Sequence, residues 1–157
     1  MWPYRFIPQS ESSVPIIRFT KTCETAIVPT RGTVDAAGYD LYSSAHTVIP
    51  PRTIGKIPTG LKMEIPTWFY GQIKSRSSIA FGCQCEVVAG VIDSDFRGSI
   101  NILIHNISHE ELVVKMNDRI AQIVFIPCIF PMFAESAVLS PTIRDEGCFG
   151  STNVKKP

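Results

Sequence analysis

The stretch Cys85-Glu86-Val87-Val88-Ala89-Gly90-Val91-Ile92-Asp93-Ser94-Asp95-Phe96-Arg97-Gly98-Ser99-Ile100-Asn101-Ile102-Leu103-Ile104-His105 decides how this chain is read. In its second half Ile100, Ile102 and Ile104 alternate with mostly polar neighbours, as a half-buried strand requires. Its first half, Cys85 to Val88, is another apolar run of strand length. Between them two acids, an aromatic ring and an arginine stand between Gly90 and Gly98, at or near a strand-to-strand connection. If Asp93 to Asp95 is extended, the two carboxylates share a face, because strand side chains repeat with period two. A solvated turn is the plainer reading of the same residues.

Working outward, the rest of the chain is a series of similar short runs: Ile16 to Phe19, Gly38 to Ser43, Thr53 to Ile57, Leu61 to Ile65 and Phe69 to Lys74, then Leu112 to Val114 and Ile120 to Ile129. Turn residues punctuate them at Pro50-Pro51, Pro58-Thr59-Gly60 and Pro66-Thr67. No segment holds an apolar stripe of helical period over three turns, so the pattern predicts an all-β barrel or sandwich. One short helix is expected over Arg76 to Gly82, with serines at its start and a glycine at its stop. Residues 1 to 13 carry Trp2, Tyr4 and Phe6 with no period and are expected to form a loose arm. After Pro141 the chain turns polar and glycine-bearing, which predicts a second arm that is mobile until something orders it. The expected organisation is therefore an arm over 1 to 13, one β domain over 14 to 140 and a C-terminal arm over 141 to 157.

At 157 residues, with 45% hydrophobic and 18% charged residues, the chain has enough apolar surface to bury a real core. The net charge of +1 offers no global field for nucleic acid or an anionic membrane, so an anionic ligand has to be held by local charge. No run has the length of a membrane span, and the first residues lack a signal-peptide core, which points to a soluble protein of the cytoplasm or nucleus with no membrane partner. The five cysteines are odd in number and irregularly spaced, and Cys83 and Cys85 lie too close in sequence for a zinc knuckle, so reduced thiols are expected.

Three clusters suit a phosphate ligand. Ser75-Arg76-Ser77-Ser78 puts a permanent cation and hydroxyls at an expected helix N-terminus, where free N–H groups and the dipole favour an anion. Asn117-Asp118-Arg119-Ile120-Ala121-Gln122-Ile123 leads into an apolar strand in which Gln122 needs a polar partner. Near the C-terminus Phe149, between Cys148 and Gly150 and followed by Ser151 and Thr152, could stack on a flat ligand while hydroxyls and N–H groups meet an anion.

With Ala36-Ala37-Gly38-Tyr39-Asp40-Leu41-Tyr42-Ser43, these clusters and the run Gly90 to Gly98 resemble the five ordered motifs of the trimeric dUTPases, the deoxyuridine triphosphate nucleotidohydrolases. The likeness runs from about Val14 to Asn153 with the motifs in the family's order, and the Thr30 to Ser43 run looks like the eukaryotic and large-DNA-virus branch. The resemblance implies a distorted jelly-roll β-barrel and a homotrimer whose C-terminal arms are exchanged between subunits, with active sites shared between them. It implies hydrolysis of dUTP to dUMP and pyrophosphate by water attack at the α-phosphorus, with Mg2+ on the triphosphate. That activity limits uracil incorporation into DNA and supplies dUMP for dTMP synthesis.

By position, Asp93 matches the carboxylate that deprotonates the attacking water and bonds the sugar 3′-hydroxyl, and Gln122 a residue that helps hold that water. Asp40 matches the group that reaches magnesium through its water shell. Arg76, Ser77 and Ser78 match the phosphate-binding turn, and the backbone from Val87 through Gly90 to Ile92 matches the hairpin that reads uracil. Phe96 stands where the family has a tyrosine under the deoxyribose. Asp118 and Arg119 match a structural pair. From a neighbouring subunit, Phe149 would stack on uracil, Arg144 would meet the triphosphate, and Gly150, Ser151 and Thr152 would close on the phosphates.

The chain departs from the family's usual residues at Ser75, where proline is common, and at Ser78, Asn117, Cys148 and Asn153, where glycine is common. Asparagine tolerates positive φ, whereas Ser78 and Cys148 would be strained there. Two rival functions remain at this stage: a dUTPase fold that has lost catalysis and serves as an interaction protein, and a dCTP deaminase. His46, His105 and His109 are scattered and take no role.

Overall fold

A computed structural model describes residues 14 to 143 and Asp145. Among the described residues ten strands carry the fold: β1 Arg18–Lys21, β2 Tyr39–Tyr42, β3 Thr47–Ile49, β4 Ile54–Glu64, β5 Phe69–Lys74, β6 Cys85–Val88, β7 Val91–Ile92, β8 Ile100–Asn106, β9 Leu112–Val114 and β10 Arg119–Pro127. They form two four-stranded sheets, β1-β4-β8-β6 and β2-β10-β5-β7, and a two-stranded ribbon, β3-β9. Among the described residues no helix is long and apolar enough to cross a membrane.

The alternation at the centre of the sequence does what its period requires. Ile100, Ile102 and Ile104 are all but fully buried, together with Ile57 and Leu61 of the neighbouring β4 and with Leu41, Ile73, Ile120 and Ile123 of the other sheet. Each such side chain contributes about 1.5 to 3 kcal/mol of burial, so this strand is a main anchor between the two sheets. Its last residue, Asn106, is polar and fully buried, and its amide donates to the carbonyls of Ile49 and Glu110 while its oxygen accepts from Ser108 and the Cys85 thiol. Burial and then the neighbouring Cys83 thiol push the Cys85 pKa up, so this sulfur remains a protonated donor. Cys23, Cys83, Cys85 and Cys128 are free thiols.

One sequence expectation is corrected here, and a second, the short helix, is found but narrowed. Pro58-Thr59-Gly60 is not a turn between two strands but a bulge inside the single eleven-residue β4, where the register with β8 shifts between Pro58 and Leu61. The buried Thr59 hydroxyl donates to the Ile100 carbonyl at 2.7 Å, and Gly60 takes φ +68° with no room for a side chain against Cys23 and Ala26. A contact across the sheet thus overrides the local turn signal. The helix expected over Arg76 to Gly82 is a single wide π-type turn, Ser78–Gly82. Ser77 makes no side-chain cap, and the turn ends on Cys83 at φ −106° without a left-handed glycine. Five residues are too few for a useful dipole, so that part of the phosphate reading does not hold.

Candidate active site

The second sheet has β5 near its middle, and the candidate residues gather at its two ends. At the Lys74 end, Gln122 of β10 stands opposite both Lys74 of β5 and Asp40 of β2. The Asp40 carboxylate accepts from Arg76 Nε at 2.9 Å through Oδ1 and from Arg119 Nη1 at 3.3 Å through Oδ2. Its side chain is only 14% exposed, so the two guanidiniums supply the pairing a buried carboxylate needs. Arg76 Nη1 also donates to the Arg119 carbonyl at 3.0 Å. Gln122 Nε2 donates to the Ser75 carbonyl at 3.2 Å, and its Oε1 lies against Gly38, where any β-carbon would come within 2.6 Å of it. Asp40, Arg76, Arg119 and Gln122 thus form one cluster.

Asp118 and Arg119 do not pair with each other. Asp118 closes a tight turn by accepting the Lys115 N–H through Oδ2, while Arg119 turns across the sheet to Asp40. Their adjacency in sequence serves two separate contacts. The turn also needs Asn117 at φ +72°, the conformation for which asparagine substitutes tolerably for glycine. Ser78 has no positive φ, so serine is unstrained there.

Near the Phe69 end lies Asp93. Gly71 and Gln72 of β5 pair with Ile92 and Val91, which sets Asp93 about level with Tyr70. The residues after β7 form a tight turn in which Phe96 N–H donates to the Asp93 carbonyl, and Arg97 Nη1 donates to the carbonyls of Ser94 and Phe96. Asp93 and Asp95 are therefore not on one extended face, and the acid pair considered from the sequence does not form. Both acidic residues are exposed, and Phe96, itself 41% exposed, is folded over Gly98. A cleft of about 290 Å3 opens there, lined by Asp93, Ser94, Asp95, Phe69, Tyr70, Cys128 and Phe130. A larger groove of about 520 Å3 lies elsewhere, between Val14 to Phe19 and Tyr39 with Phe125. Among the described residues Arg31 is its single charged group, a poor match for a triphosphate.

The stretch from Val87 to Ile92 is not a self-paired hairpin. Its first limb belongs to β6 and pairs with β8, and its second belongs to β7 and pairs with β5, so the chain crosses from one sheet to the other. Ala89 at φ +59° and Gly90 at φ +109° make the crossing. A β-carbon at Gly90 would lie 2.8 Å from the Ile73 carbonyl oxygen, which rules out any larger residue without a backbone shift. The Ile73 N–H donates to the Gly90 carbonyl, and the Val87 N–H donates to Ser75 Oγ at 2.8 Å. Ser75, read from the sequence as a phosphate-cluster hydroxyl and a departure from proline, instead ties Gln122 through its carbonyl and the crossover through its hydroxyl. A proline has no hydroxyl to do the second.

Within one chain the two groups stay apart. From the level of Tyr70 to that of Lys74 is about 13 Å along β5, and β7 and β10 are two strand spacings, about 10 Å, apart. Arg144, Cys148, Phe149, Gly150, Ser151 and Thr152 lie outside the described residues. Among the described residues no three His, Cys, Asp or Glu side chains cluster as metal ligands.

A family profile described as dUTPase matches residues 24–153. The chain belongs to the dUTPase family. It is 41% identical over 140 residues to the deoxyuridine 5′-triphosphate nucleotidohydrolase of Oryza sativa subsp. japonica, a match covering 89% of this chain and 82% of that one. The enzyme of the same name from Avian adenovirus 8 is 42% identical over 134 residues, covering 85% and 82%. The Homo sapiens mitochondrial dUTPase is 40% identical over 136 residues, which take in 87% of this chain and 54% of that longer one. Among solved structures, a mutant dUTPase of Staphylococcus bacteriophage 80alpha with dUpNHpp matches at a TM-score of 0.84 and 23% identity, covering 88% of this chain and 99% of that one. At that identity the likeness speaks for the dUTPase jelly-roll fold.

Proposed function

We propose that this chain works as a dUTP diphosphatase whose active sites are assembled between copies of itself, as a homotrimer. As a member of the dUTPase family it hydrolyses dUTP. The shared site rests on one observation: Asp93 and the cluster of Arg76 and Gln122 sit toward opposite ends of β5, too far apart for one water molecule and one phosphorus to meet both within a single chain. A cyclic assembly that sets the Asp93 turn of one copy against the Lys74 end of the next completes the site.

In this reading the exposed Asp93 carboxylate takes a proton from water as the water oxygen bonds to the α-phosphorus. The bond from that phosphorus to the bridging oxygen breaks, leaving dUMP and pyrophosphate. Gln122, with its amide nitrogen committed to Ser75, presents its oxygen to help hold the water. Arg76, Ser77 and Ser78 bind phosphate, Arg76 with the donors that Asp40 and the Arg119 carbonyl leave free. The backbone of Val87, Gly90 and Ile92 reads the uracil edge, and the Phe96 ring supports the sugar. Arg144, Phe149, Gly150, Ser151 and Thr152 close over the nucleotide from a neighbouring copy.

The residues present suit magnesium held mainly by substrate. Both Asp40 oxygens are engaged by arginines, so this carboxylate fits a contact through the ion's water shell better than direct ligation. When bound, the ion neutralises charge on the phosphates.

The test is an assay with dUTP and magnesium that follows pyrophosphate, run beside one with dCTP that follows ammonia. Pyrophosphate from dUTP with no ammonia from dCTP is expected. Ammonia release would make the chain a deaminase, and neither product would leave it an interaction protein.

A further inference from the structure

Lys74 ends β5 directly opposite Gln122, which in turn stands opposite Asp40. Directly opposed residues in antiparallel strands project to the same face, so Lys74, Gln122 and Asp40 form a row across three strands. The charges on this row do not balance. Asp40 supplies one negative charge and already takes ion pairs from Arg76 and Arg119, and no other carboxylate among the described residues pairs with either arginine. Lys74 is exposed, and none of the described ion pairs involves it. Two of the three cations have part of their donor sets spent inside the chain: Arg76 through Nε and Nη1, Arg119 through Nη1. Among the described residues nothing takes a donor from the Lys74 ammonium, which has three to offer a ligand.

We propose that Lys74 is a further substrate-binding residue, which contacts the polyphosphate of the nucleotide beside Arg76 and sets affinity for the triphosphate over the monophosphate. The inference rests on the site proposed above, because that reading brings a polyanion to this row. An ammonium is a strongly hydrated point charge on a flexible stem, suited to follow phosphate oxygens and not to fix their geometry. Its contribution therefore falls on binding more than on the chemical step. A purely solvated lysine would discriminate between no ligands.

The experiment compares the wild type with Lys74→Ala and Lys74→Arg in Kd for the non-hydrolysable dUpNHpp and for dUMP, and in kcat and KM for dUTP. Lys74→Ala is expected to raise the dUpNHpp Kd and the dUTP KM about five- to tenfold, to change the dUMP Kd by less than about twofold, and to leave kcat within about twofold. Lys74→Arg should restore most of the loss. Equal dUpNHpp affinity in wild type and Lys74→Ala, or equal weakening of dUpNHpp and dUMP, would overturn the proposal. Wild-type activity on dUTP tests the parent reading separately. Were it absent, the Kd for inorganic triphosphate alone would decide the inference, with a loss in Lys74→Ala supporting it and no change overturning it.

Discussion

At the Lys74 end of β5, Asp40 holds two arginines, Gln122 is tied to Ser75, and Ser75 is tied to the crossover at Val87, so the groups proposed to bind phosphate are set within one chain. Toward the Phe69 end, the Asp93 turn is held by backbone carbonyls and Arg97, while the Asp93 carboxylate is exposed and makes no side-chain hydrogen bond among the described residues. One end is organised before substrate arrives. The other offers an acid that is unengaged among the described residues, which suits the proposed base whose partners come from another copy. In the proposed site, preorganisation and reactivity are thus divided between two places toward opposite ends of β5.

The largest effect should come from the open end. Asp93→Asn is expected to lower kcat by about 10^3-fold or more while leaving the dUpNHpp Kd and the thermal midpoint nearly unchanged, because the side chain supports no contact of the fold. Stopped turnovers and calorimetry on one preparation check this, and a large fall in Tm would mean that Asp93 is structural. At the organised end the loss should divide between stability and function. Asp40→Ala leaves the Arg76 and Arg119 guanidiniums facing one another without their carboxylate, and should cost about 2 kcal/mol in urea unfolding, a value moderated by the half-exposed Arg119. Unchanged stability would show that the ion pairs do not organise this end. The smallest effect belongs to the tie between the cluster and the crossover: Ser75→Ala removes the acceptor for Val87 N–H and should cost about 1 kcal/mol.

Much of this could be read in the sequence where the cause is local. The period of Ile100, Ile102 and Ile104 gives the buried strand, and Gly90 and Gly98 bracket the Asp93 turn. What could not be read depends on distant partners. Thr59 and Ile100 are 41 positions apart, and their hydrogen bond turns an expected loop into a bulged strand. Asp40 and Arg119 are 79 apart, so the chain itself pairs Arg119 with an acid other than its neighbour Asp118. With only two residues, β7 is too short to show a period, and this concealed the crossover between sheets. The extended reading of Asp93 to Asp95 failed because a short turn stabilised by Arg97 satisfies the carbonyls that a strand would otherwise pair.

The division of the site between copies is tested most directly by mixing two inactive variants, Asp93→Asn and Arg76→Ala, unfolding them together and refolding them at equal concentration. In a cyclic trimer with random exchange, three-quarters of the assemblies are mixed and each mixed trimer holds one site with both residues intact, so about one quarter of wild-type activity should return. Activity that stays at the level of the separate variants, in trimers shown to have exchanged, would place Asp93 and Arg76 of the same chain in one site and contradict the account.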